Sequence, residues 1–541
     1  MATFRITPAT SVYTTLSSNA FASDTLATAD SLIVDADAFL ISSGGIGAYL
    51  SNTDAWTVTI NGFIVSRADR GLLLAGGNFA TSTISIGSTG EVGGRSIAMA
   101  IASPATLNNY GEITARDYAV YLTGAGTHTI NNKSTGTISA STGGLNFAIL
   151  DDTNLSIEKV SNSGVINGNI SLGGNNDTLT NGATATINGR TELGEGTNKL
   201  TNKGVMKEVQ GGSGTDTIVN SGTLQAVNTF GGNDTFYNYA TTTTGVVAGT
   251  VLNSILMGDG TDKFLGSDTN ELLTDGGGTD SVKFAGGNDW YNAIGTGVDG
   301  TDTVDGGLGV DTYSAVGANG SLIFNLDTVS HDLAPISPGA GVMTANTVRF
   351  FPAGGGSIDD KITGFENAIG SEFYDAMYGS AGANVLEGRG SGDNILGFGG
   401  DDRLIGGAGA DALAGGAGKD TLYGGSEGDI FQYFLTSDST VAKAGRDIIM
   451  DWHHEVGVPS LSDRIDVSFI DADTTVAGNQ AFHFLATNAA FDGSAGALRD
   501  VWTANGHMIQ GDVNRDKIAD FAIEILDPDQ LSAFGSSDFI L

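Results

Sequence analysis

The sequence predicts an all-β chain: a right-handed parallel β-helix that runs into a glycine-rich β-roll and ends in a β-rich cap. Three observations carry this. Glycine supplies 82 of 541 residues against only 7 prolines, with no collagen period, a composition that fits many tight turns between short strands. Asparagines and acids recur every 18 to 21 residues through the first half. Between 370 and 432 the spacing tightens to a strict nine. Repetition at a fixed period is the mark of a solenoid.

Residues 1–250 are expected to form the β-helix. Asn202, Asn220 and Asn238 are 18 apart, preceded by Asn162 and Asn181 at looser spacings and by Asn109 and Asn132 in longer rungs. Asp177, Asn198, Asp216 and Asp234 stand four residues before four of them. Strand alternation sends every second side chain inward. Asparagines at equivalent turns would form a hydrogen-bonded ladder that satisfies turn backbone. This region resembles the passenger regions of bacterial surface adhesins.

Residues 251–320 mix two styles. MGDGTDKFL (257–265), DGGGTDSVKF (275–284), AGGNDWYN (285–292) and GGLGVDTYS (306–314) place Gly-Asp loops in a helix of similar rung length. Residues 321–368, with His331, Pro335 and Pro338, are less regular and predict a hairpin or loop excursion. ITGFENAIGS (362–371) then re-enters the solenoid.

Residues 369–432 form the roll. Asp375, Asn384, Asp393, Asp402, Asp411, Asp420 and Asp429 are nine apart without a slip. Two positions after each stands an apolar residue: Met377, Leu386, Ile395, Leu404, Leu413, Leu422 and Phe431. GGAGADALA (406–414) and GGAGKDTLY (415–423) both read G-G-x-G-x-D-x-U-x, with U a large apolar residue. Glycines allow positive φ in a sharp loop, and a three-residue strand follows with U inward. Two nonapeptides make one turn, so Asp375, Asp393, Asp411 and Asp429 share one edge and Asn384, Asp402 and Asp420 the other. Rungs about 4.8 Å apart put carboxylates in repelling rows. Calcium, a hard cation taking six to eight oxygens, relieves that repulsion, whereas zinc prefers nitrogen or sulfur, which these loops lack.

The run resembles the repeats-in-toxin (RTX) family of hemolysin-type calcium-binding repeats, which implies a parallel β-roll with calcium between successive loops. The candidate ligands are Asp393, Asp402, Asp411, Asp420 and Asp429, with loop glycines Gly406, Gly407, Gly409, Gly415, Gly416, Gly418 and Gly424. Asp216 and Asp311 are further candidates in the looser loops. Three copies depart from the pattern: 379–387 has Asn384 for Asp, GRGSGDNIL (388–396) loses two glycines, and 370–378 keeps one.

Residues 433–541 lose the repeat and carry strand-like runs, among them RDIIMDW (446–452) and DRIDVSFI (463–470). NQAFHFL, GDVNRDKIADF and the terminal Asp538-Phe539-Ile540-Leu541 resemble the C-terminal segment of serralysin-type proteases, a cap that carries their secretion signal. The resemblance implies export by the type I secretion machinery. That fits the start, MATFRITPATSVYTTL, which lacks a basic region followed by an apolar core, and predicts an extracellular or cell-surface location on a bacterium. Asp512, Asn514, Asp516 and Asp520 are spaced like a calcium loop, but Lys517 and Ile523 stand where an EF-hand needs Gly and Glu. A small calcium site and an ordinary polar turn both remain open there.

Charge and composition narrow the function. Acids number 61 against 24 basic residues, a net of −37, which disfavours nucleic acid and anionic lipid and favours multivalent cations. Cysteine is absent, which removes disulfides and thiolate metal sites. No apolar run approaches the ~18 residues of a membrane span. The zinc-protease motif H-E-x-x-H is missing: His454-Glu455-Val456-Gly457-Val458 lacks the second histidine. The first 330 residues hold one histidine, His128, expected to pack or to face solvent, and no recurring acid–base set is visible. The expected function is therefore a non-catalytic, calcium-binding extracellular protein, adhesive or surface-layer-like. Its partners would be a cell-surface glycan or further copies of itself. The alternative is a polysaccharide-active β-helix enzyme, a lyase or epimerase, with an RTX module.

Overall fold

The computed structural model describes residues 3–14, 19–22, 31–51, 55–75, 81–141, 146–293, 300–332, 342–352, 356–454, 461–526 and 534–541. Pro335, Pro338 and 455–460 fall outside them. The chain divides into two compact units, 1–276 and 277–541. Both are built from short strands, and among the described residues no helix is long and apolar enough to cross a membrane.

The N-terminal unit is a parallel solenoid. One strand column runs through Ser82–Ile86, Ala105–Asn109, Gly126–Asn132, Ser156–Asn162, Thr178–Asn181, Lys199–Asn202, Thr217–Asn220 and Thr235–Tyr237, each pairing in parallel with the next. In-register pairing stacks like positions, so Leu107, Ile130, Val160, Leu179, Leu200, Ile218 and Phe236 form one buried column. Each such aliphatic side chain contributes about 1.5–3 kcal/mol on burial.

Early coils carry two further columns, for example Glu112–Ala115, Thr137–Ala140 and Val165–Asn167 in one, and Tyr118–Leu122, Phe147–Asp151 and Asn169–Ser171 in the other. These merge at Val205–Gly212, which pairs with both Thr186–Ile187 and Thr191–Glu192. The merger shortens the coil and produces the 18-residue spacing. A small antiparallel hairpin, Tyr239–Thr242 with Gly245–Ala248, interrupts the last coils.

The asparagine ladder is present. Two residues beyond its inward apolar neighbour, each asparagine also faces inward. Asn109 donates to Asn132, and the chain continues through Asn162, Asn181, Asn202, Asn220 and Asn238, every Nδ2–Oδ1 distance 2.8–2.9 Å. Glu271 Oε1 accepts the last bond from Asn238 at 2.8 Å.

The C-terminal unit opens with parallel rungs that include Thr303–Asp305 and Thr312–Ser314. The excursion is an antiparallel meander of Gly320–Asn325, Thr347–Pro352 and Ile358–Thr363. It is tied to the roll because Gly320–Asn325 also pairs in parallel with Asp375–Ser380.

The roll has two parallel faces. Asp375–Ser380, Asn394–Gly399, Ala412–Ala417 and Ile430–Gln432 make one. Asn367–Ile369, Val385–Gly390, Arg403–Ala408 and Thr421–Ser426 make the other. Met377, Ile395, Leu413 and Phe431 on one face and Leu386, Leu404 and Leu422 on the other are all buried in the interior, as the nine-residue phase predicts.

Both faces continue into the C-terminal segment. Ile448–Ile449 then Phe521–Leu526 extend one face, and Arg464–Asp466 then Phe539–Ile540 the other. An antiparallel sheet of Ala497–Trp502, Gly506–Asp512 and Phe521–Leu526 covers the end.

Candidate metal centre

Each repeat aspartate is held inward and buried, 0–2% exposed from Asp375 to Asp429. From Asp393 onward its Oδ1 accepts the backbone N–H of the equivalent residue one turn earlier. Asp393 accepts from Asp375, Asp411 from Asp393 and Asp429 from Asp411, at 2.7–2.9 Å. On the opposite edge Asp402 accepts from Asn384 and Asp420 from Asp402, at 2.7 and 2.8 Å. Two ladders therefore climb the two edges assigned from the spacing.

The second oxygen, Oδ2, makes no hydrogen bond in Asp393, Asp402, Asp411, Asp420 or Asp429. It lies over the first glycine of its own repeat. A Cβ at Gly388, Gly397, Gly406, Gly415 or Gly424 would sit 2.2 Å from it. At Gly406 that Cβ would also meet the Gly424 carbonyl oxygen at 2.5 Å. The first glycine thus leaves open an oxygen-lined cradle that a methyl group would fill. Positive φ belongs to the second and fourth positions instead: Gly407 and Gly409, and Gly416 and Gly418. Where a repeat lacks glycine at those positions, Arg389, Ser391, Phe398 and Glu427 hold positive φ there, a conformation uncommon for residues with a Cβ.

The electrostatics fit a cation. Burial, with neighbouring carboxylates adding, pushes Asp393, Asp402 and Asp429 up to about 8. Burial likewise raises Asp420 to about 7 and Asp411 to about 6. Such groups resist ionising without a partner. Buried carboxylate and carbonyl oxygens are the donors calcium takes, and repeat carboxylates with loop carbonyls would hold it here.

Three closing acids escaped sequence reasoning. Asp447 Oδ1 accepts from Asp420 N at 2.9 Å, and Asp463 Oδ1 from Asp429 N at 3.0 Å. Asp451 receives the Gly424 and Gly425 N–H groups at 3.0 Å each. Burial pushes Asp447 up to about 9 and Asp463 to about 7. Sequence spacings of 27 and 34 hide them, but the D-x-U signal survives: Ile449 and Ile465 follow two residues later and pair with Leu422 and Phe431.

The looser candidates share the ladder geometry. Asp216 accepts from Asn198 N at 3.1 Å, and its own N–H donates to Asp234 Oδ1 at 2.7 Å. Asp311 accepts from Asp289 N at 2.7 Å and donates its own N–H to Glu366 at 2.9 Å. In the 512–520 loop the oxygens face amides. Asp512 accepts from Asn514, Arg515 and Lys517 N–H groups at 2.8–3.1 Å. Asp516 accepts from Ile518 N, and Asp520 from Val513 N and Asn514 Nδ2. These bonds build a polar turn.

The histidines are dispersed. His128 is interior to the N-terminal unit. His331 bonds Asp327 at 3.0 Å, His454 lies 3.4 Å from Asp538, His483 meets Ser494 at 3.0 Å, and buried His507 meets Asp500 at 3.0 Å. His453 is exposed.

Two carboxylate ladders on a glycine-rich parallel roll define a cation-binding β-roll. The family model described as RTX calcium-binding nonapeptide repeat (4 copies) matches residues 363–396 and 396–431. That stretch is thus a run of RTX repeats, and calcium is the ion such repeats bind. Among solved structures, the chain is similar to a subunit of the Azotobacter vinelandii mannuronan C5-epimerase, determined in solution. The two are 28% identical over 30% of this chain and 80% of that one, with a TM-score of 0.22. No curated protein sequence matches the chain.

Proposed function

We propose that the protein is a secreted, non-catalytic extracellular scaffold whose C-terminal roll completes its folding when calcium enters. The observation that carries this is the row of buried, unpartnered Oδ2 atoms from Asp393 to Asp429. Without a cation their charges oppose folding, so metal-binding free energy becomes folding free energy. A calcium-poor cytoplasm would leave the roll open, and a calcium-rich exterior would close it. Export by the type I machinery fits this logic, and the C-terminal segment would carry the signal.

The N-terminal unit supports the scaffold role. Its interior is filled by stacked aliphatic side chains and the asparagine ladder, which makes a rigid presented body for adhesion or self-association. Asp216 and Asp311 extend the calcium loops outside residues 363–431. Gly211, where a Cβ would lie 2.8 Å from Asp216 Oδ2, borders an open hollow of about 550 Å³ whose lining includes Glu192, Glu195 and Asp259 beside Gln210, Ser213 and Phe230, and those carboxylates would give a cation further oxygens.

Fractionation of producing cells, washed with and without a calcium chelator, tests the reading. Chelator-released protein from the cell surface is the expected result. Protein free in the medium at every calcium level, active on a screened polysaccharide, would replace the scaffold with a diffusible enzyme.

A further inference from the structure

The three strand columns of the N-terminal unit differ on their outer faces. In the column that carries the asparagine ladder, the outward row reads Ser85, Asn108, Asn131, Ser161, Thr180 and Thr201. In the column of Glu112–Ala115 it reads Thr114, Ser139 and Asn167. Hydroxyls and amides are what a solvated sheet face calls for.

The column that holds Tyr118–Leu122 and Phe147–Asp151 breaks this rule. Its outward row runs Tyr49, Leu73, Ala100, Tyr121 and Leu150 in unbroken parallel register. Tyr49, Leu73, Tyr121 and Leu150 are half-buried, each packed on its neighbours and open on its outer side. The Tyr118 ring lies 5.5 Å from that of Tyr121 and 6.5 Å from that of Phe147, with planes 28° and 27° from parallel. The Tyr121 hydroxyl donates to Asp152, which fixes the ring at the edge of the patch. A contiguous apolar patch on a soluble surface marks a place where something binds.

Toward the C-terminus the same row turns polar, through Ser171, Glu192, Gln210 and Asn228. Asn228 Oδ1 accepts the N–H of Phe230 at 3.0 Å. Phe230 is 48% exposed and holds φ at 68°, an outlier conformation for a bulky residue. Its ring borders the same open hollow as Gln210 and Glu192. Backbone strain that offers an aromatic ring to solvent is the kind that persists at binding sites.

We propose that this face binds an uncharged polysaccharide chain laid along the solenoid axis. The inference rests on the adhesive reading above and names its ligand. The C–H faces of pyranose rings pack on aromatic rings, and their hydroxyls bond carboxylates and amides. The face offers these in sequence, rings first and then Glu192 and Gln210. Its row is one side chain wide and, at about 4.8 Å per rung, roughly 40 Å long. That shape suits a linear polymer and falls short of the roughly 800 Å² per partner of a stable protein dimer. Charge argues against uronates, sulfates and phosphates. Arg70, Arg116 and Arg190 beside the row each stand next to a carboxylate, Asp69, Asp117 and Glu192, and the chain carries a net −37.

The full chain, held in calcium, is run by affinity electrophoresis through gels containing β-1,4-glucan, β-1,3-glucan, mannan, dextran or alginate. Retardation by at least one uncharged polymer, and not by alginate, is the expected result. Tyr118→Ala with Tyr121→Ala should weaken it at least tenfold. Phe230→Gly should weaken it severalfold, and it keeps the fold because glycine favours that φ. Thr180→Ala, on the ladder column, should change nothing. A folded parent that no uncharged polymer retards would overturn the proposal, as would full retardation of the double variant, or retardation by alginate equal to the best uncharged polymer. A parent dimer in sedimentation that the double variant abolishes would also overturn it, by covering the face with a second copy. Retardation accompanied by new reducing ends would support the face and overturn the non-catalytic reading instead.

Discussion

Asp411→Asn and Asp411→Ala separate the two tasks of a repeat aspartate. Oδ1 of Asp411 accepts the Asp393 N–H at 2.7 Å, and Oδ2 faces the cradle above Gly406. Asparagine keeps the first bond and loses the anionic second oxygen. Alanine loses both and leaves a buried N–H unpaired, at a cost of about 1–3 kcal/mol. In chelator, Asp411→Asn should therefore unfold no earlier than the parent, since it removes a carboxyl that burial pushes up to about 6. Asp411→Ala should unfold earlier.

Calcium changes the comparison. A site held a hundredfold above its Kd adds about 2.7 kcal/mol to stability. For a unit of this size that is roughly 5–10 °C in midpoint, at about 2–4 °C per kcal/mol. Both variants should lose about that much of the calcium-induced shift in scanning calorimetry, and pairing either change with Asp420→Asn should extend the loss to the opposite edge. If Asp411→Asn keeps the full calcium shift, Oδ2 is not a ligand and the cradle reasoning fails.

Two further outcomes follow from the same geometry. Asn202→Ala removes the donor to Asn220 and the acceptor of Asn181; denaturant unfolding of the N-terminal unit should show a loss of about 1–3 kcal/mol per buried group left unpaired, with the calcium response of the roll intact. The pH dependence of the calcium-free roll runs opposite to ordinary acid denaturation. Asp393, Asp402 and Asp429 sit near 8 when folded against an ordinary 3.8, so the folded state binds more protons between those values. Stability without calcium should be greatest below about pH 4 and should fall as pH rises toward 8. Circular dichroism in chelator across that range checks the sign, and a calcium-free roll that gains stability with rising pH would contradict it.

Much of this architecture was readable where phase is strict. Seven acids or amides nine apart, each followed two residues later by an apolar side chain, assign both edges and the interior of the roll. The asparagine ladder was equally legible because asparagine and its inward neighbour share strand parity. Reading failed where coil length varies. The three-column coils before 192 differ by many residues per turn, so no single period reveals them. Asp447, Asp451 and Asp463 were hidden because the intervening chain makes its own excursions. The glycines were only half understood. Gly407 and Gly409 serve positive φ, as expected, but Gly406 is needed for room beside Asp411 Oδ2. That requirement is tertiary and has no local signature.

The ladders also have a direction. The N–H of each repeat aspartate or asparagine is satisfied by a carboxylate from a later rung, and Asp420 and Asp429 borrow theirs from Asp447 and Asp463. That side-chain bond of a rung can therefore form only when its C-terminal neighbour is already in place. The roll should close like a zipper that starts at its tail, with the segment beyond residue 432 as the starting tooth. A chain threaded out of a pore tail first would present that nucleus first, and each calcium captured behind it would hinder the chain from slipping back.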